Sequence, residues 1–257
     1  MDLGLNGKAC IVTGATSGIG AVTARMLLDE GARVLLVARG ADALEATPAA
    51  VAFAADVTDP GAAARIADAC ESAFGRVDVL VNSAGTMPVT PLDELTDEDW
   101  QAQWELNVMA SLRLMQAVAP GMAGRRWGRI VNVGSSAGKR PSSRNAAYAV
   151  TKAGQLSLSR VFADQYASKN VLVNAVAPGP TASELWTGDD GIAAQAARKA
   201  GTTREQELEN AGGKVPLGRM GTPEEVAAVI VFLCSERASD VTGASWSVDG
   251  GSVPFFI

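Results

Sequence analysis

Short, largely apolar runs recur along the chain with stretches of helical periodicity between them, and that alternation sets the architecture. Lys8–Thr13 (KACIVT), Arg33–Ala38 (RVLLVA), Ala50–Ala55 (AVAFAA), Val77–Val81 (VDVLV), Arg129–Val133 (RIVNV) and Val171–Val176 (VLVNAV) are such runs. Apolar residues at consecutive positions, rather than at every second one, predict strands covered on both faces. Ser245–Val248 predicts a seventh strand, ahead of Asp249-Gly250-Gly251.

Helical patterns fill the intervals. The first opens in a glycine turn, Gly14-Ala15-Thr16-Ser17-Gly18-Ile19-Gly20, runs through Glu30 and is closed by Gly31 as a C-cap. Others are predicted over Pro60–Phe74, from the N-cap Thr96 past Asn107 towards Met115, from near Asn145 to about Ser168, and from Pro223 to Cys234. Periodicity weakens over residues 182–214, which are polar, rich in alanine and punctuated by glycine. One or two short helices forming a mobile substrate lid are expected there, carrying Leu185 and Trp186. Strand, helix and strand in strict succession make right-handed crossovers. The whole chain, 1–257, is therefore expected to be one α/β domain: a doubly wound, Rossmann-type, mostly parallel seven-stranded sheet with helices on both faces.

Composition narrows the functions such a domain could have. With 47% hydrophobic and 19% charged residues over 257 positions, a sizeable core is available and disorder is disfavoured. A net charge of −6 argues against a nucleic-acid backbone reader. The longest strongly apolar run, Val226–Cys234, is too short to cross a membrane, and the N-terminus MDLGLNGK lacks a secretory pattern. Cys10, Cys70 and Cys234 have no metal-ligand spacing and read as reduced, buried thiols of a cytoplasmic protein. The chain contains no histidine. That excludes a Ser-His-Asp triad and a histidine general acid, and no metal site is expected. Acid–base chemistry near neutral pH must then come from a perturbed Tyr, Lys, Cys or carboxylate.

Val131–Gly154 (VNVGSSAGKRPSSRNAAYAVTKAG) supplies the best such pair. Tyr148 and Lys152 stand four positions apart, on one face of a helix. An ammonium beside a phenol favours the phenolate, so the pair predicts a tyrosine pKa below its ordinary value of about 10. Such a tyrosine can exchange a proton with a carbonyl or alcohol oxygen, and Ser135, at a strand's C-terminal end, can hydrogen-bond the same oxygen. The glycine turn lets a ligand phosphate meet the N-terminus of the first helix. Its spacing is G-x-x-x-G-x-G rather than the general dinucleotide fingerprint G-x-G-x-x-G. In a doubly wound sheet, ligands bind beyond the C-terminal ends of the strands. The glycine turn, Asp56, Asn82, Ser135 and Pro178-Gly179 all fall there.

These pieces, in this order, resemble the short-chain dehydrogenase/reductase family over essentially the whole chain. The matches are Thr13-Gly14-x-x-x-Gly18-Ile19-Gly20, Asp56-Val57, Asn82-x-Ala84-Gly85, Asn107, Ser135, Tyr148-x-x-x-Lys152 and Pro178-Gly179. The C-terminal PLGRMGTPEEVA…FLCSE…VTGASWSVDGG looks like the branch that includes 3-oxoacyl-carrier-protein reductases and many sugar, polyol and steroid dehydrogenases. The resemblance implies hydride transfer between NAD(P) and a carbonyl or alcohol. Tyr148 would be the general acid of reduction, and Lys152 would lower its pKa and hold ribose hydroxyls. Ser135, thirteen positions before Tyr148, would hold the substrate oxygen, with Ser136 second in line. Asn107 would hold a relay water, or is simply a helix-interior polar residue satisfied locally.

The resemblance likewise implies cofactor contacts from Gly14, Thr16, Ser17, Gly18, Ile19, Gly20, Asn82, Ala84, Gly85, Tyr148, Lys152, Pro178 and Gly179. Asp56 and Val57 would touch adenine, unless Asp56 only caps its turn, and either Thr181 or Ser183 would meet the nicotinamide amide. Members that prefer NAD place an acidic residue where Ala38 stands, and Arg39 follows it here, so NADP(H) is favoured with NAD(H) as the alternative. Met87, Leu185 and Trp186 would wall the substrate. A 3-oxoacyl thioester leads the implied substrates, followed by a small secondary alcohol, sugar or cyclic ketone. Lys139, Arg140 and Arg144 are either a solvated loop or an anion-recognising mouth. The apolar tail Val253–Ile257 is expected to pack at a subunit interface or over a neighbouring pocket, since family members are commonly tetramers. Two rivals are a catalytically silent dinucleotide-binding regulator and an epimerase or dehydratase that uses hydride transiently.

Overall fold

The computed structural model describes residues 1–40 and 49–254; Phe255, Phe256 and Ile257 of the apolar tail lie outside the described residues. Seven strands form one sheet: β1 (Ala9–Thr13), β2 (Arg33–Ala38), β3 (Ala50–Ala54), β4 (Val79–Asn82), β5 (Gly128–Val133), β6 (Val171–Pro178) and β7 (Ser245–Val248). Their order is β3-β2-β1-β4-β5-β6-β7, with every pairing parallel. The chain therefore builds outward from β1 to β3, crosses back, and builds outward again from β4. Order reverses between β1 and β4, which is where such a sheet opens a ligand crevice.

The continuous apolar character of the strands follows from two-sided burial. Ile11 packs on one face with Ile66, Cys70, Leu114, Met115 and Phe162, from α2 (Ala62–Phe74), α4 (Ala110–Gly124) and α6 (Ala146–Tyr166). Its neighbours Cys10 and Val12 pack on the other with Leu27, Val226 and Ile230, from α1 (Gly18–Asp29) and α10 (Pro223–Cys234). Successive side chains point to opposite faces, so both sets must be apolar. β4 starts later than the predicted Val77 because Asp78 has another task. Its carboxylate accepts from Ala9 N at 2.9 Å and Arg76 Nε at 2.9 Å, tying the strand's approach to β1.

Three departures from the predicted elements matter for the site. The helix capped by Thr96 does not run on unbroken. α3 (Asp97–Trp104) passes through one π-helical stretch, Glu105–Met109, before α4 begins, and α4 continues past Met115 to Gly124. A π-bulge repositions the side chains it contains, and here it contains Asn107. Burial of Val118, Ala119, Met122 and Ala123 carries α4 on despite Pro120. A short helix, α5 (Ser136–Lys139), follows Ser135 directly. The segment 182–214 holds three helices rather than one or two: α7 (Glu184–Thr187), α8 (Ile192–Ala200) and α9 (Arg204–Gly213). A Thr203–Gln206 capping box opens the last of these, a T-x-x-Q signal readable in the sequence. Among the described residues, no helix is long and apolar enough to cross a membrane. The three cysteines are free and buried, and burial pushes the thiols of Cys70 and Cys234 up to about 12, which makes them inert packing groups.

Candidate active site

A cavity of about 960 Å³ opens along the C-terminal ends of the strands. At one end stands the glycine turn between β1 and α1. Gly14 and Gly18 have φ of +67° and +55°, a region that costs any residue with a Cβ. A Cβ on Gly14 would also come within 2.9 Å of the Ala84 Cα, and one on Gly20 would overlap the Gly14 carbonyl oxygen. Thr13 Oγ1 accepts from Ser83 N and Ala84 N at 3.0 and 3.2 Å, pinning the turn after β4 against the one after β1. Gly20→Ala is expected to cost about 1–3 kcal/mol, the usual penalty for overfilling a packed site. Chemical denaturation would measure it, and an unchanged midpoint would show that the turn can yield.

Thr16, Ser17, Ile19, Arg39, Asp56 and Val57 line this end of the cavity. Asp56 Oδ1 accepts from Thr58 N at 2.9 Å and from Thr58 Oγ1 at 2.7 Å. Those bonds, and then the nearby charge of Arg39, hold its carboxyl below the usual range. Asp56 is thus a turn cap and a cavity wall at once. Asn82 stands differently. Its Nδ2 donates to Asn132 Oδ1 at 2.7 Å within the sheet, behind the wall that Ala84 and Gly85 form.

Tyr148, Ser135 and Lys152 meet on the cavity floor. Ser135 ends the turn after β5 and caps α5, its Oγ accepting from Ala137 N at 3.1 Å. The Ser135 hydroxyl stands beside the Tyr148 phenol and favours its ionised form. Lys152 Nζ, 5.7 Å from the Tyr148 ring centroid, donates to Val133 O at 2.8 Å and to Gln155 Oε1 at 3.0 Å. The electrostatics differ from the sequence expectation of a lowered tyrosine pKa. Burial raises the Tyr148 pKa, and the neighbouring Ser135 hydroxyl only partly opposes it. Lys152 is perturbed as well, and burial brings it down to about 7. In a dry pocket, desolvation of a phenol outweighs an ammonium that does not touch it.

Asn107 is fully buried in the π-helical stretch. Its Nδ2 donates to Gln103 Oε1 at 3.0 Å and Thr151 Oγ1 at 3.1 Å, while its Oδ1 has no partner among the described residues. A Cβ on Gly85 would lie 3.6 Å from that oxygen and 3.7 Å from Lys152 Nζ. The unpaired acceptor and the ammonium therefore flank one gap beside Gly85. Beyond β6, Gly179 packs so closely on Asp249 that a Cβ would approach its Cα to 2.8 Å. Thr181 Oγ1 is committed to Gly179 O at 3.0 Å. Ser183 lies against Gly18, and its hydroxyl faces the cavity without a hydrogen bond among the described residues. Met87, Ser136, Leu185 and Trp186 line the far end. The basic run is divided: Arg140 and Arg144 line the mouth, whereas Lys139 Nζ turns away to Ser245 O and Ser247 Oγ at 2.7 and 3.0 Å.

Sequence reasoning missed Gln103, Thr151 and Gln155, which surround the reactive pair with buried polar groups. The signal was present as polar side chains at helical spacing on the inward face of α6: Tyr148, Lys152, Gln155 and Ser159.

A doubly wound sheet with a glycine turn at its switch point, and a Tyr–Ser–Lys group on the cavity floor, defines a Rossmann-type oxidoreductase. The family profile described as enoyl-(acyl carrier protein) reductase matches residues 14–252. Sorbitol dehydrogenase of Cereibacter sphaeroides is 36% identical over 254 residues, covering 96% of this chain and 98% of that protein. The 3-oxoacyl-[acyl-carrier-protein] reductase of Thermotoga maritima is also 36% identical, covering 97% and 99%. L-sorbose reductase of Gluconobacter frateurii, solved with NADPH and L-sorbose, superposes with a TM-score of 0.92 at 34% identity and full coverage of both chains. The chain belongs to the short-chain dehydrogenase/reductase family, whose matched members are dehydrogenases and reductases of alcohol and carbonyl groups.

Proposed function

We propose that this enzyme reduces a ketone, or oxidises the matching secondary alcohol, with NADP(H) preferred and Tyr148 as the general acid or base. The observation that carries this reading is the meeting of three buried side chains, Tyr148, Ser135 and Lys152, on the floor of one cavity. The residues present fit a dinucleotide. The cavity runs unbroken from the glycine turn to Tyr148, and the positive-φ glycines let backbone N–H groups and the α1 N-terminus approach phosphate oxygens. Bound there, the nicotinamide supplies or accepts the hydride. Tyr148 gives its hydroxyl proton to the carbonyl oxygen as charge develops on it, and Ser135 holds that oxygen in place. Lys152 anchors ribose hydroxyls, Ser183 meets the nicotinamide amide, and the gap between Lys152 and Asn107 Oδ1 suits a water that passes the proton back.

Turnover of NADPH and NADH against 3-oxoacyl thioesters, cyclic ketones and ketoses tests the reaction. Tight NADPH binding without turnover of any of them would favour the silent regulator instead. The far wall, with Met87, Val89, Leu185, Trp186 and Ile192, favours a ketone with an apolar body. Asn145, Glu207, Asn210 and Lys214 line the same cavity, so hydroxyls that reach past the apolar wall would still find partners. The similarity to L-sorbose reductase over the full chain favours a ketose as the second reading, and the better kcat/KM decides between them.

Cofactor preference rests on Ala38 and Arg39. No carboxylate stands at the end of β2, and the exposed Arg39 guanidinium faces the cavity with Thr16 and Ser17. Guanidinium–phosphate pairing is strong. Ala38→Asp would place a repelling charge at the 2′-phosphate and shift the kcat/KM ratio towards NADH on the order of 10- to 100-fold. A ratio unmoved by the substitution would place the discrimination elsewhere.

A further inference from the structure

We propose that Gln155 is a positioning residue that holds the Lys152 ammonium at the cavity floor, in register with Tyr148. The inference rests on the reading of Tyr148 and Lys152 given above. An ammonium has three donors. Val133 O and Gln155 Oε1 take two of them, at 2.8 and 3.0 Å, which leaves one for the gap beside Gly85. The backbone carbonyl is fixed by the β-ladder, so Gln155 is the side chain that decides where Nζ sits.

Gln155 is itself held. Its Nε2 donates to Ser111 Oγ at 2.8 Å, and Ser111 Oγ donates onward to the Asn107 carbonyl at 3.2 Å. A flipped amide would set its NH2 against the ammonium, donor to donor, and would compete for the single Ser111 proton. The network therefore admits one orientation. The Gln155 backbone is anchored as well, since its carbonyl accepts from Ser159 Oγ at 2.8 Å, and Ser159 Oγ accepts from Asn132 Nδ2 at 2.8 Å. Hydrogen bonds thus run from β4 and β5 through α6 to the reactive lysine.

Packing alone does not call for glutamine here. The side chain is 1% exposed, and an unbranched apolar residue of similar length would fill the same space without desolvating an amide. What methionine could not supply is an oxygen aimed at Nζ. The groups facing Lys152 are otherwise uncharged: Val133 O from β5, Asn107 from the π-helical stretch and Gly85 after β4. Tyr148, on its own helix, is the titratable neighbour. Gln155 Oε1 favours the charged ammonium against the burial that brings Lys152 down to about 7.

The test follows lysine Cε signals by NMR across pH in the full-length protein, with the Lys152 signal identified by its loss in Lys152→Met. In Gln155→Met the Lys152 titration is expected to fall by roughly one pH unit, because an acceptor of the charged form is lost. In Gln155→Glu, which restores an acceptor and adds a charge, it is expected to rise. In NADPH-dependent reduction, kcat of Gln155→Met is expected to drop on the order of tenfold, with the alkaline limb of its pH profile displaced downwards. An unmoved Lys152 titration in Gln155→Met overturns the proposal, whatever happens to the melting temperature. If that variant does not fold, an unmoved titration in Gln155→Glu does the same. Tyr148→Phe separates the two readings: if it stays active, the site assignment fails, whereas the lysine titration alone decides the role of Gln155.

Discussion

Tyr148→Phe is expected to lower kcat by about 10²- to 10⁴-fold, the usual contribution of a positioned general acid, with the fold intact. The ring is buried and stays; only the hydroxyl beside Ser135 is removed. Nothing nearby can take over the proton. The chain has no histidine, and Lys152 Nζ gives two protons to Val133 O and Gln155 Oε1 and directs its third to the gap beside Gly85. Ser135→Ala should cost less, about 10- to 100-fold, because it removes one hydrogen bond to the developing charge and leaves the proton donor in place. Steady-state kinetics with NADPH at saturating ketone, beside a cofactor-binding titration, would measure both. A Phe variant retaining half the activity would refute the role given to Tyr148. The pH dependence has a definite sign. Burial keeps the phenol protonated at neutral pH. The alkaline limit of reduction therefore follows Lys152, which burial brings down to about 7, before it follows the phenol, while oxidation should rise as the phenol ionises.

What could be read in advance, and what could not, divides along physical lines. The strands were legible because two-sided burial writes continuous apolar runs such as VLVNAV into the sequence. The order of the strands comes from the structure, since right-handed crossovers restrict it without fixing it. The Tyr148–Lys152 pair was legible because helical spacing places it on one face. The electrostatics were not, since a pKa depends on how dry the site is, and dryness is set by residues remote in sequence. The π-helical stretch at Glu105–Met109 was invisible as well, because periodicity continues through it with only a local slip in phase. Gln155 was overlooked for a related reason. A glutamine on a helix usually faces water, and only the packing of α6 on the sheet shows that it faces Lys152.

The same dryness should appear as a component of the pH-dependent stability that Lys152→Met removes. The ordinary lysine value is 10.5 and the folded value is about 7. Between those pH values the unfolded chain binds the proton that the folded chain has released. Stability therefore rises with pH across this window, by up to about 1.4 kcal/mol per pH unit, and the burial penalty is fully felt below it. Tyr148, Cys70 and Cys234 act oppositely at higher pH. Their folded pKa values are raised, so the folded state keeps protons that the unfolded chain loses, and stability falls. The native curve alone would mix these effects. The difference between native protein and Lys152→Met removes what they share and isolates the lysine. Measured by urea denaturation, that difference should shift in favour of the native protein by several kcal/mol as pH rises from about 7 to about 10. Methionine orphans Val133 O and Gln155 Oε1 at every pH, which moves the whole difference curve without tilting it. A level difference curve would mean that Lys152 is solvated in the folded protein. The lysine would then have to act as an ordinary charged anchor rather than as a group held near its titration point inside the cavity floor.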